Sequence, residues 1–299
     1  MQVVLGASGN TGHVVAQDLL SKGERVRVVG RNADHLQFLA AKGGEPFVAD
    51  VTDPQALARA FQNADSAYVL IPPNPKSNNV RSFQDTVSDA VTKGLRDAGI
   101  KNVVLLSSIG ADKASGTGPV VGLHNFEQKL NQLEGANVLH LRAGYFMENT
   151  LPQAAAIRLT GSTVGPLQAD LKVSMIASRD IGKAAATAML SRDFRGKQAR
   201  ELHGNRDLGY DDATAIIGNA IGKPDLKYIQ APDEQMLGAM VQMGMSEDMA
   251  RQIIEMAGAL NSGYMRPLEA RTPESTTETT FEDFVAEFFV PAYQQQEAA

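Results

Sequence analysis

Along the first half of the chain, short apolar and β-branched runs alternate with longer stretches in which apolar residues recur every three or four positions. The runs are Val3–Leu5, Arg25–Val29, Glu45–Val48, Ala67–Ile71, Asn102–Leu106 and Asn137–Leu141, and they read as strands. The periodic stretches lie near 11–22, 33–42, 54–63, 79–98 and 121–133 and read as helices. Such alternation predicts an α/β fold, a doubly wound parallel sheet covered on both faces by right-handed crossovers.

Past about residue 150 the regularity weakens. Helices are expected over 180–191, 210–221, 246–260 and 280–289, the last with Thr280 as N-cap and Asp283 three residues on. Short strands near 172–176, 198–203 and 226–229 separate them. The chain thus divides into 1–150 and a smaller α/β region, 151–299, that covers a substrate and sends segments back onto the sheet. Residues 294–299 are polar and read as a frayed end.

The first strand runs into Gly6-Ala-Ser8-Gly9-Asn10-Thr11-Gly12, a GxxGxxG that opens the first helix. Glycine suits this place because the turn needs unusual dihedrals, the backbone must approach a pyrophosphate, and the helix must pack close to the strand. The helix N-terminus adds free N–H donors and partial positive charge. A structural turn alone would also use glycine, but strand, spacing and helix together make 1–150 a Rossmann-type dinucleotide-binding domain. An acid at the end of the second strand would bind the ribose of NAD; here stands Arg31, nineteen residues beyond Gly12, which suits the 2′-phosphate of NADP. Asp50 ends the third strand where adenine is read, while Asp53 caps the next helix. Ile71, Pro72, Ser107 and Ser108 end the fourth and fifth strands and line the cofactor cleft.

Composition narrows the partners. With 28 Lys+Arg against 34 Asp+Glu, the formal net charge of −6 offers no footprint for nucleic acid or anionic lipid. The chain has no cysteine, which removes disulfides, thiol nucleophiles and thiolate metal sites. The first apolar run stops at Leu5, too short for a signal-peptide core, and no run has the roughly 18 residues of a membrane span. A cytoplasmic protein is expected, monomeric or homodimeric, acting on a small molecule without nucleic acid or membrane.

Reducing a simple ketone also requires a proton, which short-chain reductases supply from Tyr-x-x-x-Lys on one helix face. Four residues after Tyr68, Tyr145, Tyr210, Tyr228, Tyr264 and Tyr293 come Pro72, Asn149, Thr214, Pro232, Leu268 and Glu297, none of them lysine. The helix after Ser108 offers His124 and Glu127, three apart and on one face. Either His124 donates a proton with Glu127 fixing its ring, or the two make a helix-surface contact. No His, Asp or Glu spacing imitates a metal site, so none is expected. A conjugated acceptor such as a quinone, enone or dye needs less acid help; the other readings are a silent NADP(H)-sensing regulator with a protein partner, and a nucleotide-sugar epimerase.

Taken together, Gly6 to Gly12, Arg31, Ser107-Ser108-Ile109-Gly110-Ala111, His124-x-x-Glu127, Leu141 to Asn149, Arg179-Asp180-Ile181-Gly182 and Gly222-Lys223-Pro224 resemble the NmrA-like group of atypical short-chain dehydrogenase/reductases. The resemblance implies NADP in the N-terminal cleft and a small hydrophobic or aromatic substrate beneath the C-terminal region. It includes quinone and dye reductases, phenylpropanoid reductases that use a Lys after strand five, and redox-sensing regulators. Here the lysines near that place are Lys113 and Lys129. The resemblance puts Phe146 beside the nicotinamide, and Asn149 either caps the next helix or touches substrate. Seven of the eleven methionines fall between Met236 and Met265, which reads either as core packing or as an adaptable lid in which Met240 and Met243 would meet a bulky acceptor.

Overall fold

The computed structural model describes residues 1–295. In chain order the elements are β1 (Gln2–Leu5), α1 (Asn10–Ser21), β2 (Val26–Gly30), α2 (Gln37–Ala41), β3 (Glu45–Val48), α3 (Pro54–Phe61), β4 (Ser66–Val69), α4 (Val80–Ala98), β5 (Asn102–Ser108), α5 (Val120–Asn131), β6 (Asn137–Ala143) and β7 (Tyr145–Phe146). Then come α6 (Gln153–Thr160), β8 (Thr163–Gly165), β9 (Val173–Ile176), α7 (Ser178–Ser191), β10 (Lys197–Leu202), β11 (Asp207–Leu208), α8 (Tyr210–Ala220), β12 (Tyr228–Gln230), α9 (Asp233–Gln242), α10 (Glu247–Asn261), α11 (Phe281–Phe284) and α12 (Val290–Gln295).

Seven parallel strands form the main sheet in the order β10-β6-β5-β4-β1-β2-β3. The chain reverses direction across the sheet between β1 and β4, the place where such folds hold ligands beyond the strands' carboxyl ends. One face is sealed by Leu57, Phe61, Val91 and Phe126 of α3, α4 and α5. The other is sealed by Val15 and Leu19 of α1, Leu39 of α2, and Ile181 and Met189 of α7. Strands buried on both faces explain the nearly unbroken apolar runs in the sequence. Asp53 accepts from the N–H groups of Gln55 and Ala56 and so starts α3, with Pro54 in the first turn.

The second half does not form a layer of its own throughout. Helix α7 and strand β10 lie beyond residue 150, yet α7 packs on α1, and β10 continues the main sheet with Lys197 opposite Val138 and Leu202 opposite Ala143. What remains joins β7 from the first half in two small sheets, β11-β9-β7 and β12-β8, around Met147, Ile157, Tyr210, Ile217, Phe281, Phe284 and Phe289. Strand β4 stops at Val69 rather than Ile71 because the backbone leaves the ladder before Pro72-Pro73, which could not donate to it. Helices α6 and α9 and the short strands β7, β8 and β11 were not legible as periodic runs. The first is a brief alanine-rich segment, and α9 buries little beyond Met240. Of the expected frayed end, Gln294 and Gln295 close α12, and 296–299 lie outside the described residues.

Candidate functional site: a phosphate turn and an apolar cavity

Gly6 carries φ +64°, a conformation that side chains rarely adopt, and its carbonyl accepts from the Gly9 N–H at 2.9 Å. A Cβ on Gly12 would collide with the carbonyl oxygen of Gly6. The turn therefore closes only as glycine. Gly9 is the N-cap of α1 and offers no side-chain cap, so the first N–H groups of the helix face outward without one. Ser8, Gly9 and Asn10 are exposed at this end. Thr11 is buried and its hydroxyl accepts from Tyr68 at 2.9 Å, which turns its side chain into the fold rather than toward the exposed helix start. The uncapped helix and the space where side chains are excluded fit a pyrophosphate.

Beyond β2 and β3 a second cleft of about 270 Å³ is lined by Arg31, Asp50, Val51, Pro72, Lys76 and Phe83, among others. Arg31 and Lys76 supply two cations there. Hydrogen bonds from the Thr52 hydroxyl and N–H, both to one oxygen, hold the Asp50 carboxyl below its ordinary range, and the Arg31 guanidinium adds to this. Arg31 and Lys76 fit a 2′-phosphate, and the Asp50 carboxylate fits an adenine edge. Ile71 is half-buried but lies outside this lining.

At the ends of β5 and β6 the structure separates residues that the sequence grouped. Ser107 is buried and donates to Glu127 at 2.6 Å, and Arg142 donates to both oxygens of that carboxylate at 3.0 and 2.6 Å. Glu127 therefore neither fixes the His124 ring nor meets it in a helix-surface contact, the two readings the sequence left open. Its oxygens are taken by β5 and β6, and Ser107 faces this pair rather than the cleft. His124 instead donates from Nδ1 to the Ala111 carbonyl at 2.8 Å, since a carbonyl can only accept. In the neutral ring Nε2 is then an acceptor, and His124 is not among the residues lining the cavity described next. Lys129 pairs with Asp85 and Asp89 on α4.

That cavity, about 220 Å³, opens beside Ser108, Ile109 and the Ala143–Phe146 turn. Phe146 lines it as expected. Asn149 also lines it and does not cap α6, whose N-cap is Pro152. Leu171, Val173, Met256, Leu260, Met265 and Pro267 complete an apolar wall, with Lys172, Asp207 and Arg266 among its polar lining residues. The wall comes from three distant stretches. Glu148 accepts from the Ser178 N–H and hydroxyl, which fixes the turn after β7 to the start of α7. Glu201 accepts from the N–H groups of Leu268 and Glu269 at 2.9 and 3.2 Å, which fixes the strap carrying Met265 to Pro267. Of the methionine cluster, Met256 and Met265 reach the cavity, while Met240 is buried elsewhere and Met243 is 72% exposed. Tyr145, passed over for want of a lysine at 149, lines the cavity as well. Its place directly after the sixth strand was the available signal.

The sequence profile of the NmrA-like family matches residues 2–285. The chain belongs to this family. Among NmrA-like relatives and their structural neighbours, the NAD(P)H azoreductase of Xenophilus azovorans is 28% identical over 276 residues, covering 92% of this chain and 93% of its own. The NADPH-dependent quinone oxidoreductase of Escherichia coli superposes with a TM-score of 0.72 at 23% identity, over 97% of this chain and all of its own. Triphenylmethane reductase of Citrobacter sp., solved with NADP(H), superposes with a TM-score of 0.77 at 20% identity over the whole of both chains. At these identities the superpositions establish the Rossmann-type fold of this NmrA-like chain. No helix among the described residues is long and apolar enough to cross a membrane.

Proposed function

We propose that this protein is an NADPH-dependent reductase of small aromatic acceptors of the quinone or dye type. The observation that carries the reading is the apolar cavity at the carboxyl ends of β5 and β6, on the same edge of the sheet as the glycine turn. The family relatives named as reductases of azo, quinone and triphenylmethane compounds support it.

In this reading the amides of Gly6 to Gly12 hold the pyrophosphate, Arg31 and Lys76 the 2′-phosphate, Asp50 the adenine, and Phe146 flanks the nicotinamide. Bound NADPH supplies a hydride equivalent. The apolar wall of Met256, Leu260 and Met265 excludes water and stacks an aromatic acceptor. A conjugated acceptor spreads the incoming charge over its own frame, which removes the need for a Tyr-Lys pair. His124, held on the Ala111 carbonyl outside the cavity lining, leaves solvent as the proton source in this reading. Residues 1–150 hold the cofactor and most of the remainder covers the acceptor, in a cytoplasmic monomer or homodimer that does not bind nucleic acid.

The test is NADPH oxidation, followed at 340 nm, against quinones, enones, azo dyes and triphenylmethane dyes. Turnover of about 1 s⁻¹ or faster is the expected result for an ordinary enzyme. Tight NADP binding without turnover on any of them would overturn it in favour of a sensor.

A further inference from the structure

Three tyrosines that lack a lysine partner meet in space. The Tyr145 hydroxyl lies 3.0 Å from that of Tyr210, whose ring is edge-on to Tyr145 and packed against Tyr228. Tyr228 donates its own proton to the Leu167 carbonyl at 2.7 Å. Tyr210 is buried, and its hydroxyl has Tyr145 as its hydrogen-bond partner. A buried O–H without an acceptor is costly, so Tyr210 donates and the Tyr145 oxygen accepts. The Tyr145 proton is thereby left for the side of the hydroxyl that borders Asn149 and the cavity, which both side chains line. An oxygen that accepts a hydrogen bond becomes a better donor, because bonds in a chain polarise one another. Burial pushes both phenols above their ordinary range, so both keep their protons at neutral pH.

We propose that Tyr145, oriented by Tyr210, donates a hydrogen bond to the acceptor atom on which negative charge develops, so that the site favours neutral quinone- or azo-type acceptors over cationic dyes. This rests on the reductase reading and names its acceptor class. A neutral quinone that takes two electrons and one hydrogen as a hydride equivalent from NADPH becomes a hydroquinone monoanion, and NADP⁺ is left. Solvent supplies the second proton, and Tyr145 keeps its own. A cationic triarylmethane dye taking the same equivalent becomes neutral. A donor aimed at it gains nothing. The preference therefore separates this role from simple packing, which would serve both acceptors alike.

The test uses Tyr145→Phe and Tyr210→Phe in the full chain, with two readouts. The first is binding of 4-nitrophenolate, an oxyanion probe, followed by its visible absorbance. Tyr145→Phe is expected to weaken it roughly tenfold to a hundredfold, the range for a hydrogen bond to a charged group, and Tyr210→Phe roughly two- to fivefold. The second is NADPH-driven reduction of a benzoquinone and of a cationic triarylmethane dye. Tyr145→Phe is expected to lower the quinone rate at least tenfold more than the dye rate. Equal loss on both acceptors, or phenolate affinity that does not distinguish Tyr145→Phe from the parent chain, including binding by neither, would overturn the proposal. If the parent chain turns over neither acceptor, the reductase reading fails, and the phenolate titration alone decides the role of Tyr145.

Discussion

The two ends of the cleft are built by different means. The phosphate end is made mostly of backbone: a turn closed by Gly6 and Gly12 and an uncapped helix start, with the Arg31 and Lys76 cations beyond them. The turn, the helix start and Arg31 all lie within the first 31 residues. The acceptor end is made of side chains brought from β5, the β6–β7 turn, β9, α10 and the strap after it. Backbone geometry constrains residue type tightly, whereas an apolar wall accepts many side chains of about the right size. The first end is therefore fixed by chemistry common to all dinucleotides, and the second is free to follow its substrate.

The seam between the two ends gives the largest expected effect. Glu127 sits between Ser107 on β5 and Arg142 on β6, where removing one member of a buried pair leaves the other charge uncompensated. Glu127→Ala should cost about 3–5 kcal/mol in denaturant unfolding. A loss below about 1 kcal/mol would mean that the two ends are joined by something other than this pair, and that Glu127 is free for the catalytic role first expected of it.

Acid should act on the same seam. Burial, only partly offset by the Glu127 charge, lowers His140 on β6 from its ordinary 6.5 to about 4. The unfolded ring takes a proton below about pH 6.5, while the folded ring does so only near pH 4. Stability on this account is full above pH 6.5 and falls through the window down to 4, by up to about 3 kcal/mol. Burial lowers His203 in the same direction. His140→Gln should flatten the slope of unfolding free energy between pH 6.5 and 4; an unchanged slope would exclude His140 as its source.

How much of this the sequence carried follows from the same contrast. The succession of strands and helices along the first half, the glycine turn and the Asp53 cap were legible because each depends on neighbours within a few residues. Strand β10 and helix α7 were located nearly to the residue, and segments of the second half were expected back on the sheet, but pattern alone could not say that these two were the ones. Spacing placed Glu127 on one face with His124; burial then turned it toward Arg142, a partner fifteen residues away on another element. Met256 and Met265 could not be told from Met240 and Met243 by composition, because only tertiary placement separates a lining methionine from a buried or a solvated one.

At the phosphate end, Arg31→Ala isolates the cofactor from the acceptor. Losing a charge-assisted contact worth about 1.5–3 kcal/mol should raise the NADPH dissociation constant roughly tenfold to a hundredfold. The NADH constant should hold within about twofold, as should the KM for the acceptor at saturating NADPH. Fluorescence titration of both nucleotides checks this. An unchanged ratio of the two constants would leave Lys76 as the cation that reads the 2′-phosphate.

The smallest effect belongs to the acceptor wall, where single contacts are interchangeable. Met256→Gln keeps the length of the side chain and puts an amide where the cavity is apolar. Losing part of one apolar contact is worth roughly 1 kcal/mol, so KM for an aromatic acceptor should rise about fivefold while NADPH affinity stays as it was. Met243→Gln is the control, since that side chain is 72% exposed and away from the cavity. Steady-state kinetics on both variants separates a wall formed by α10 and its strap from a lid formed by the whole methionine cluster. Equal rises in KM would restore the lid and erase the contrast between a rigid phosphate end and an acceptor end assembled from particular side chains.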